Sequence, residues 1–160
     1  MAELSNLSVK EVIQKLEYFC SYQERCHADV VSKLFDYNLY QDEKDRVIVH
    51  LIEHNFLNEE RFALLFAISK LHQQKWGKIR ITQELKMRKI SSYLIVKALK
   101  SLPEIEYDAT FELLSEKFWE LTTERNKIKK QKKFCDYLLR KGWESNKVYS
   151  RYKEFMALNL

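Results

Sequence analysis

The fold is decided by the stretch Leu85-Lys-Met-Arg-Lys-Ile90, because its pattern occurs three times in the chain. The other two copies are Leu34-Phe-Asp-Tyr-Asn-Leu39 and Leu138-Leu-Arg-Lys-Gly-Trp143. Each copy has a leucine, three variable or basic residues, a residue expected near a helix C-terminus and a large apolar residue. The leucines lie 51 and 53 positions apart. A near-constant period predicts one supersecondary unit used three times and stacked into an elongated, curved molecule.

Helix signals run through all three units. Ser8, Asn58 and Asn126 are expected N-caps, and apolar residues follow each of them at helical spacing. The chain has only 2 Gly and 1 Pro in 160 residues, so helix breakers are scarce. The sequence therefore predicts an all-α protein of nine helices in three tandem three-helix modules. Their expected bounds are residues 8–55, 56–102 and 103–157.

The two longest patterns of the third module predict core stripes. In the seventh helix the stripe is Tyr107, Phe111, Leu114, Phe118 and Leu121, and in the eighth it is Ile128, Phe134, Cys135 and Leu138. Acidic residues four apart, from Glu104 to Glu124, form a ridge on the seventh helix. We interpret the ridge as a solvated face, with a basic neighbour as the alternative. Gly142 is expected in a left-handed turn that ends the eighth helix.

The residues that usually carry enzyme chemistry are not arranged for it. The sequence has no phosphate-binding glycine loop and neither a GxSxG nor an HExxH motif. His50 and His54 lie one helical turn apart, but a zinc site needs further ligands, so we interpret them as surface histidines. Cys135 fits a small core residue. The sequence predicts a protein that is not an enzyme and has no catalytic residue, metal or cofactor.

Charge is spread unevenly along the chain. Residues 1–67 hold 7 Lys/Arg and 12 Asp/Glu, whereas residues 68–160 hold 21 Lys/Arg and 11 Asp/Glu. A basic half of this kind is expected to meet nucleic acid or an acidic protein surface.

The three cysteines are odd in number, and no leader or membrane-spanning stretch is visible. We therefore expect a cytoplasmic protein that does not bind membranes.

Two clusters concentrate the basic charge of the second half. Residues 70–89 hold seven Lys/Arg against one acid, and residues 125–141 hold eight against one. Trp76 and Trp143 adjoin the clusters and are interpreted as core residues, with stacking on bases as the alternative. Surface cations opposite a core stripe are suited to phosphate contacts. The candidate partner-binding residues are Lys75, Lys78, Arg80, Lys86, Arg88, Lys89, Lys129, Lys132, Lys133, Arg140 and Lys141.

These residues also carry a resemblance. The segments Leu57-Asn-Glu-Glu-Arg-Phe-Ala63 and Lys75-Trp-Gly-Lys-Ile-Arg-Ile81, followed by Glu84-Leu85 and Lys89-Ile90, resemble the central signature of the RecX family. The segment Phe134-Cys-Asp-Tyr-Leu-Leu-Arg-Lys-Gly-Trp143 is similar to that family's third-module signature, and Arg25, Asp29-Val30 and Leu34 resemble the first more loosely. The chain departs from the family pattern at three positions. Asn58 stands where Asp is usual, Lys89 where Gly is usual and His27 where Ser is usual.

The resemblance implies three tandem three-helix modules and a function without catalysis. Members of this family are expected to bind along the RecA filament on single-stranded DNA and to limit strand exchange, ATP turnover and coprotease activity, in the SOS response among other settings. The expected partner is therefore the RecA recombinase filament, with weak binding to single- or double-stranded DNA, and the protein is expected to be a monomer. The alternative is a helical nucleic-acid-binding protein that acts without RecA, with Lys78, Arg80 and Lys86 on phosphates.

Overall fold

The structure, a computed structural model, describes residues 4–158. These residues form helices joined by short connections, with one isolated β-bridge between Ser5 and Tyr37. The predicted all-α fold is confirmed. The nine helices of this range are α1 (Val9–Tyr22), α2 (His27–Leu34), α3 (Gln41–Glu53), α4 (Glu59–Ser69), α5 (Lys78–Met87), α6 (Ser92–Lys100), α7 (Glu104–Leu121), α8 (Lys127–Arg140) and α9 (Ser145–Leu158). A π-helical turn, Lys70–Gln74, continues α4.

The predicted N-caps are confirmed. The side chain of Asn58 accepts the N–H of Arg61 at 3.0 Å, and that of Asn126 accepts the N–H of Lys129 at 3.0 Å. Ser8 caps α1 in the same way. Each cap satisfies a backbone donor that has no partner inside its helix, which fixes where the helix begins.

Three helices end in the same left-handed turn. Asn55, Lys89 and Gly142 have φ values of 61°, 61° and 91° after α3, α5 and α8. In each turn the N–H of the next residue donates to the carbonyl five positions earlier, at 2.8 to 3.2 Å. This is the hydrogen-bond pattern of a Schellman motif, and it confirms the predicted conformation of Gly142.

The first copy of the repeated stretch does not share this turn. Helix α2 ends at the repeat leucine itself, Leu34, whereas α5 and α8 continue two residues beyond theirs. The N–H of Asn38 donates instead to the carbonyl of Ser5 at 3.0 Å, in the β-bridge. The expectation that stretch 34–39 repeats the turn is therefore wrong. The N–H of Asn38, which a longer α2 would have used for a hydrogen bond within the helix, is bonded to the N-terminal segment instead.

Buried residues form two cores. Within residues 4–158, one core is formed by α1–α3 and the segments that follow α2 and α3. The other runs from α4 to α9 and also includes Cys26, at the start of α2. Helix α1 packs on α3, α4 on α6 and α8 on α9. The chain exposes 10606 Å² of surface, whereas a compact protein of 19.4 kDa exposes about 8,500 Å². The excess fits the elongated shape that the repeats predict.

Two predicted core residues lie outside the core. Leu121 is 68% exposed and Ile128 is 79% exposed, because the ends of α7 and α8 extend past the buried layer where the chain passes from one to the other. Ser115 and Trp119 are buried on α7 instead. The remaining residues of the α8 stripe are buried as predicted. On the acidic ridge Asp108 and Glu124 are partly buried and the other four carboxylates are exposed, which agrees with a largely solvated face.

Candidate partner-binding surface

The site begins where the π-helical turn leaves α4. Lys75 follows this turn in a left-handed conformation, with φ 59° and ψ 36°. Its N–H and that of Trp76 both donate to the carbonyl of Lys70, Trp76 at 3.2 Å. Single π turns inside helices are often found at functional sites. The helix that began as α4 ends with this turn, and residues 75–77 then reach the end of α8.

Residues 75–80 then meet the end of α8 through the backbone, and we call this contact the joint. The N–H of Gly77 donates to the carbonyl of Lys141 at 2.8 Å, and the N–H of Ile79 donates to that of Gly142 at 3.0 Å. Free carbonyls at the end of α8 thus satisfy free N–H groups at the start of α5. The pairing also aligns the negative end of one helix dipole with the positive end of the other.

The only two glycines of the chain face each other at this joint. A β-carbon on Gly77 would lie 2.6 Å from the carbonyl carbon of Gly142 and 2.7 Å from Cα of Trp143. A β-carbon on Gly142 would lie 2.8 Å from Cα of Arg80 and closer still to its backbone nitrogen. All of these neighbours are backbone atoms, which cannot move aside as a flexible side chain could. The two backbones can therefore approach this closely only if both positions are glycine.

Buried side chains fasten the joint on its inner side. The indole N–H of Trp143 donates to the carbonyl of Lys75 at 3.1 Å. The hydroxyl of Tyr107 accepts the N–H of Lys78 at 2.9 Å and donates to the carboxylate of Glu144 at 2.8 Å. Burial, together with that carboxylate, raises the pKa of Tyr107 well above its ordinary value, so the phenol keeps its proton. Trp143 is fully buried, which confirms its interpretation as a core residue.

The joint gathers basic residues from both sequence clusters. The guanidinium of Arg80 donates to the carbonyl of Arg140 at 3.2 Å, and the ammonium of Lys141 donates to the carbonyl of Gln74 at 3.1 Å. Lys75 and Arg140 are exposed beside them. We name this the joint surface; its residues are Lys75, Lys78, Arg80, Arg140 and Lys141. Five candidates that lie up to 66 positions apart in sequence therefore form one basic surface.

The other six candidates extend from the joint surface along two helices. Lys86, Arg88 and Lys89 lie at the end of α5, and Lys129, Lys132 and Lys133 lie in the first half of α8. At 1.5 Å per residue, Lys133 is about 10 Å along the helix axis from Arg140. Three of them form ion pairs with neighbouring acids: Arg88 with Glu84 at 3.0 Å, Lys132 with Asp136 at 3.4 Å and Lys133 with Glu124 at 3.4 Å.

A row of cations on aromatic rings continues the surface toward α1, and the sequence did not predict it. The guanidinium of Arg80 lies 4.3 Å from the ring centre of Trp76, and that of Arg88 lies 4.8 Å from Phe66. Lys70 lies within 5.4 Å of both rings. Beyond them, a cleft of about 480 Å³ between α1–α2 and α4–α5 includes Lys70, Arg88 and Arg25. We call Lys70, Arg80 and Arg88 with their two rings the cation–aromatic row.

One sequence signal could have found part of this row. Phe66–Lys70 and Trp76–Arg80 are aromatic–cation pairs spaced by four residues, the spacing at which side chains meet on a helix. The contact of Arg88 with Phe66 had no such signal, because it joins two different helices. Trp76 is partly buried against the core and also carries two cations on its ring, so core packing describes only one side of it.

The cysteines are packed in the cores, and His50 pairs with a carboxylate. All three cysteines are free and buried, and burial raises the pKa of the Cys20 and Cys26 thiols to about 11. A thiol of that pKa is a poor nucleophile at neutral pH. The His50 ring lies 2.8 Å from a carboxylate oxygen of Glu17. Within residues 4–158 no three His, Cys, Asp or Glu side chains are grouped to hold a metal ion.

Over the same range, no helix has both the length and the apolar character needed to cross a lipid bilayer. The longest, α7, carries the acidic ridge along its length.

Similar proteins share this architecture. A family model described as RecX, second three-helix domain, matches residues 58–99, which span α4 to α6. The regulatory protein RecX of Haemophilus ducreyi is 30% identical over 131 residues, covering 82% of this chain and 83% of that protein. That of Lactobacillus gasseri is 30% identical over 114 residues, covering 66% of this chain but only 42% of that longer protein.

Two solved structures agree with the fold. A crystal structure of regulatory protein RecX superposes with a TM-score of 0.80 at 19% identity, covering 91% of this chain and 73% of that one. The crystal structure of RecX from Lactobacillus salivarius superposes with a TM-score of 0.78 at 20% identity, covering 94% and 97%. At identities of 19% and 20%, these superpositions show similarity of the fold alone.

Proposed function

Since this chain belongs to the RecX family, we propose that it inhibits the RecA recombinase by binding along the filament that RecA forms on single-stranded DNA. The observation that carries the proposal is the joint surface, where α5 and α8 bring basic residues from two modules into one patch. An elongated helical repeat presents such a patch to an extended partner over several modules at once. A filament, with its repeated subunits and bound DNA, is a partner of that kind.

The proposed mechanism is mechanical rather than chemical. The joint surface and the cation–aromatic row bind anionic groups of the filament, while the rigid joint keeps the second and third modules in fixed relation. A protein that bridges neighbouring subunits in this way opposes the subunit movements that accompany ATP turnover and strand exchange. The module bounds 8–55, 56–102 and 103–157 belong to this proposal as the units that contact successive subunits.

The direct test is ATP hydrolysis by the cognate RecA on single-stranded DNA while this protein is titrated in. We expect turnover to fall at substoichiometric amounts, because one molecule bridges more than one subunit. A parallel salt series of DNA binding without RecA separates the alternative function. If the protein at clear molar excess leaves ATP turnover unchanged but binds DNA with a steep salt dependence, the alternative is correct and the proposal is wrong.

The basic residues in the first half of α8 are expected to contribute at the edge of the surface. Reversing Lys129 and Lys133 to Glu should weaken inhibition by about 5- to 10-fold, which corresponds to about 1 to 1.4 kcal/mol. Both side chains are exposed, on the side of α8 opposite Phe134 and Leu138, so helicity by circular dichroism should not change.

The matched control for this variant is Lys117→Glu with Lys153→Glu, on α7 and α9. These lysines are also exposed, and the control changes the net charge by the same amount. Inhibition that survives intact in the α8 variant, or that falls equally in the control, would show that this part of α8 is only a solvated face.

A further inference from the structure

A groove along α1 and α2 has the composition of a binding site, and it lies outside the joint surface. It has a volume of about 590 Å³ and follows α1 toward α2. Tyr18 and Tyr22, one helical turn apart on α1, are 72% and 75% exposed. Their ring centres are 6.3 Å apart and their planes differ by 30°. Two aromatic rings therefore stand side by side in solvent, so in the free protein they contribute little free energy of burial.

The groove is basic in a part of the chain that is otherwise acidic. Its lining includes Lys15, Arg25 and Lys33 but only one acid, Glu11. Residues 1–67 as a whole contain 7 basic and 12 acidic residues. Three of the seven cations thus line this groove with one of the twelve carboxylates, which favours an anionic ligand.

Two of the cations are available to such a ligand. Lys15 and Arg25 form no ion pair within residues 4–158, whereas Lys33 pairs with Asp36 at 2.9 Å. Arg25 is held in place, since its Nε–H donates to the carbonyl of Phe19 at 3.2 Å and its guanidinium lies 3.9 Å from that ring. A cation fixed on an aromatic ring is already ordered, so less side-chain entropy is lost when it binds an anion.

We propose that this groove binds single-stranded nucleic acid, with unpaired bases stacking on Tyr18 and Tyr22 and phosphates paired with Lys15 and Arg25. Exposed aromatic rings beside backbone-tracking cations are what sequence-tolerant single-strand binding requires. A duplex keeps its bases stacked on one another, and an acidic peptide would use the cations but leave the tyrosine rings bare. Unpaired bases satisfy both features.

The groove is also continuous with the surface described above. Arg25 lines both the groove and the cleft that includes Lys70 and Arg88. A strand that leaves the tyrosines past Arg25 therefore enters the cleft beside the cation–aromatic row. The inference goes beyond the proposed function, because it places a single-strand site on α1 and α2, apart from every residue of the joint.

The test is the anisotropy of a fluorescein-labelled oligothymidine of about 15 nucleotides, within the length that single-strand sites usually cover, titrated with the protein alone. Replacing Tyr18 and Tyr22 together with alanine should weaken binding by at least about tenfold, the loss expected for stacking of one to two bases. Tyr40→Ala and Tyr93→Ala are the controls, since these tyrosines are 80% and 71% exposed elsewhere and should leave binding unchanged.

The cation is tested through salt dependence. Lys15→Gln should reduce the slope of log affinity against log salt by about 0.7, the value for one phosphate contact on a single strand, and the neighbouring Lys10→Gln should not. The inference is overturned if the wild type does not bind the oligonucleotide, or if the tyrosine variant and its controls bind alike. It is equally overturned if the tyrosine variant no longer binds a labelled polyglutamate peptide but still binds the oligonucleotide, since the groove would then be a docking site for protein. Since RecA is absent throughout, none of these outcomes depends on the ATPase result.

Discussion

Replacing Gly77 with alanine will lower the melting temperature by about 10 °C, although the backbone at this position, with φ −82°, is one that alanine adopts freely. The added methyl group meets the backbone of Gly142 and Trp143, which cannot rotate away. Overpacking of this kind costs about 1–3 kcal/mol, and the two hydrogen bonds across the joint contribute about 1 kcal/mol each. Thermal unfolding followed by circular dichroism measures the change directly.

Gly142→Val should have an effect at least as large, but for a different reason than the sequence indicates. Three other residues, Asn55, Lys75 and Lys89, already adopt φ near 60° without being glycine, so a left-handed turn alone does not require glycine in this protein. What does require it is the backbone of Arg80, which occupies the place of the β-carbon. Strain and crowding therefore add at Gly142, whereas only crowding acts at Gly77.

Lys89→Gly is the matched control for both variants. Lys89 holds the same turn position after α5 that Gly142 holds after α8, and it is exposed. Relief of left-handed strain and the greater freedom of glycine in the unfolded chain oppose each other, so stability should change by less than about 1 kcal/mol. If Gly77→Ala is as harmless as Lys89→Gly, the two backbones do not meet at the joint.

Features that depend on neighbouring residues could be predicted from the sequence, whereas features that depend on distant residues could not. The N-caps Asn58 and Asn126 and the turn at Gly142 could be predicted because each depends on residues within one or two helical turns. The core stripes were predicted except at Leu121 and Ile128. There the helical period continues but the core does not, and a periodic pattern carries no information about where a neighbouring helix ends.

The joint could not be predicted, because its hydrogen bonds join backbone groups, which have no side-chain signature. Gly77 and Gly142 lie 65 positions apart, and nothing in either segment indicates the other. The basic clusters were visible as composition, but their meeting depends on that joint. The same holds for the groove on α1, whose two tyrosines become a candidate site only when the fold places Arg25 in the same groove.

The joint surface is expected to dominate binding to the filament. Replacing Lys75 and Arg140 together with Glu should weaken inhibition of RecA by about 100-fold, since each reversal sets a like charge against the anionic partner at about 1.4 kcal/mol or more. The two residues lie on opposite sides of the joint, Lys75 before α5 and Arg140 at the end of α8, so a partner that spans the joint loses a contact on each side of it. Half-maximal inhibition of ATP turnover on single-stranded DNA gives the measurement.

The fold should be unaffected by these two reversals. Both side chains are exposed, and the hydrogen bonds of the joint use the carbonyls of Lys75 and Arg140, which the substitutions leave in place. The Lys117→Glu and Lys153→Glu control carries the same change in net charge, so a general electrostatic effect would appear in it equally. Because exposed charges are screened, the difference between variant and control should shrink as salt is raised. A difference that persists unchanged at high salt would mean that the two residues act through packing, and the joint would then be a structural element rather than the binding surface.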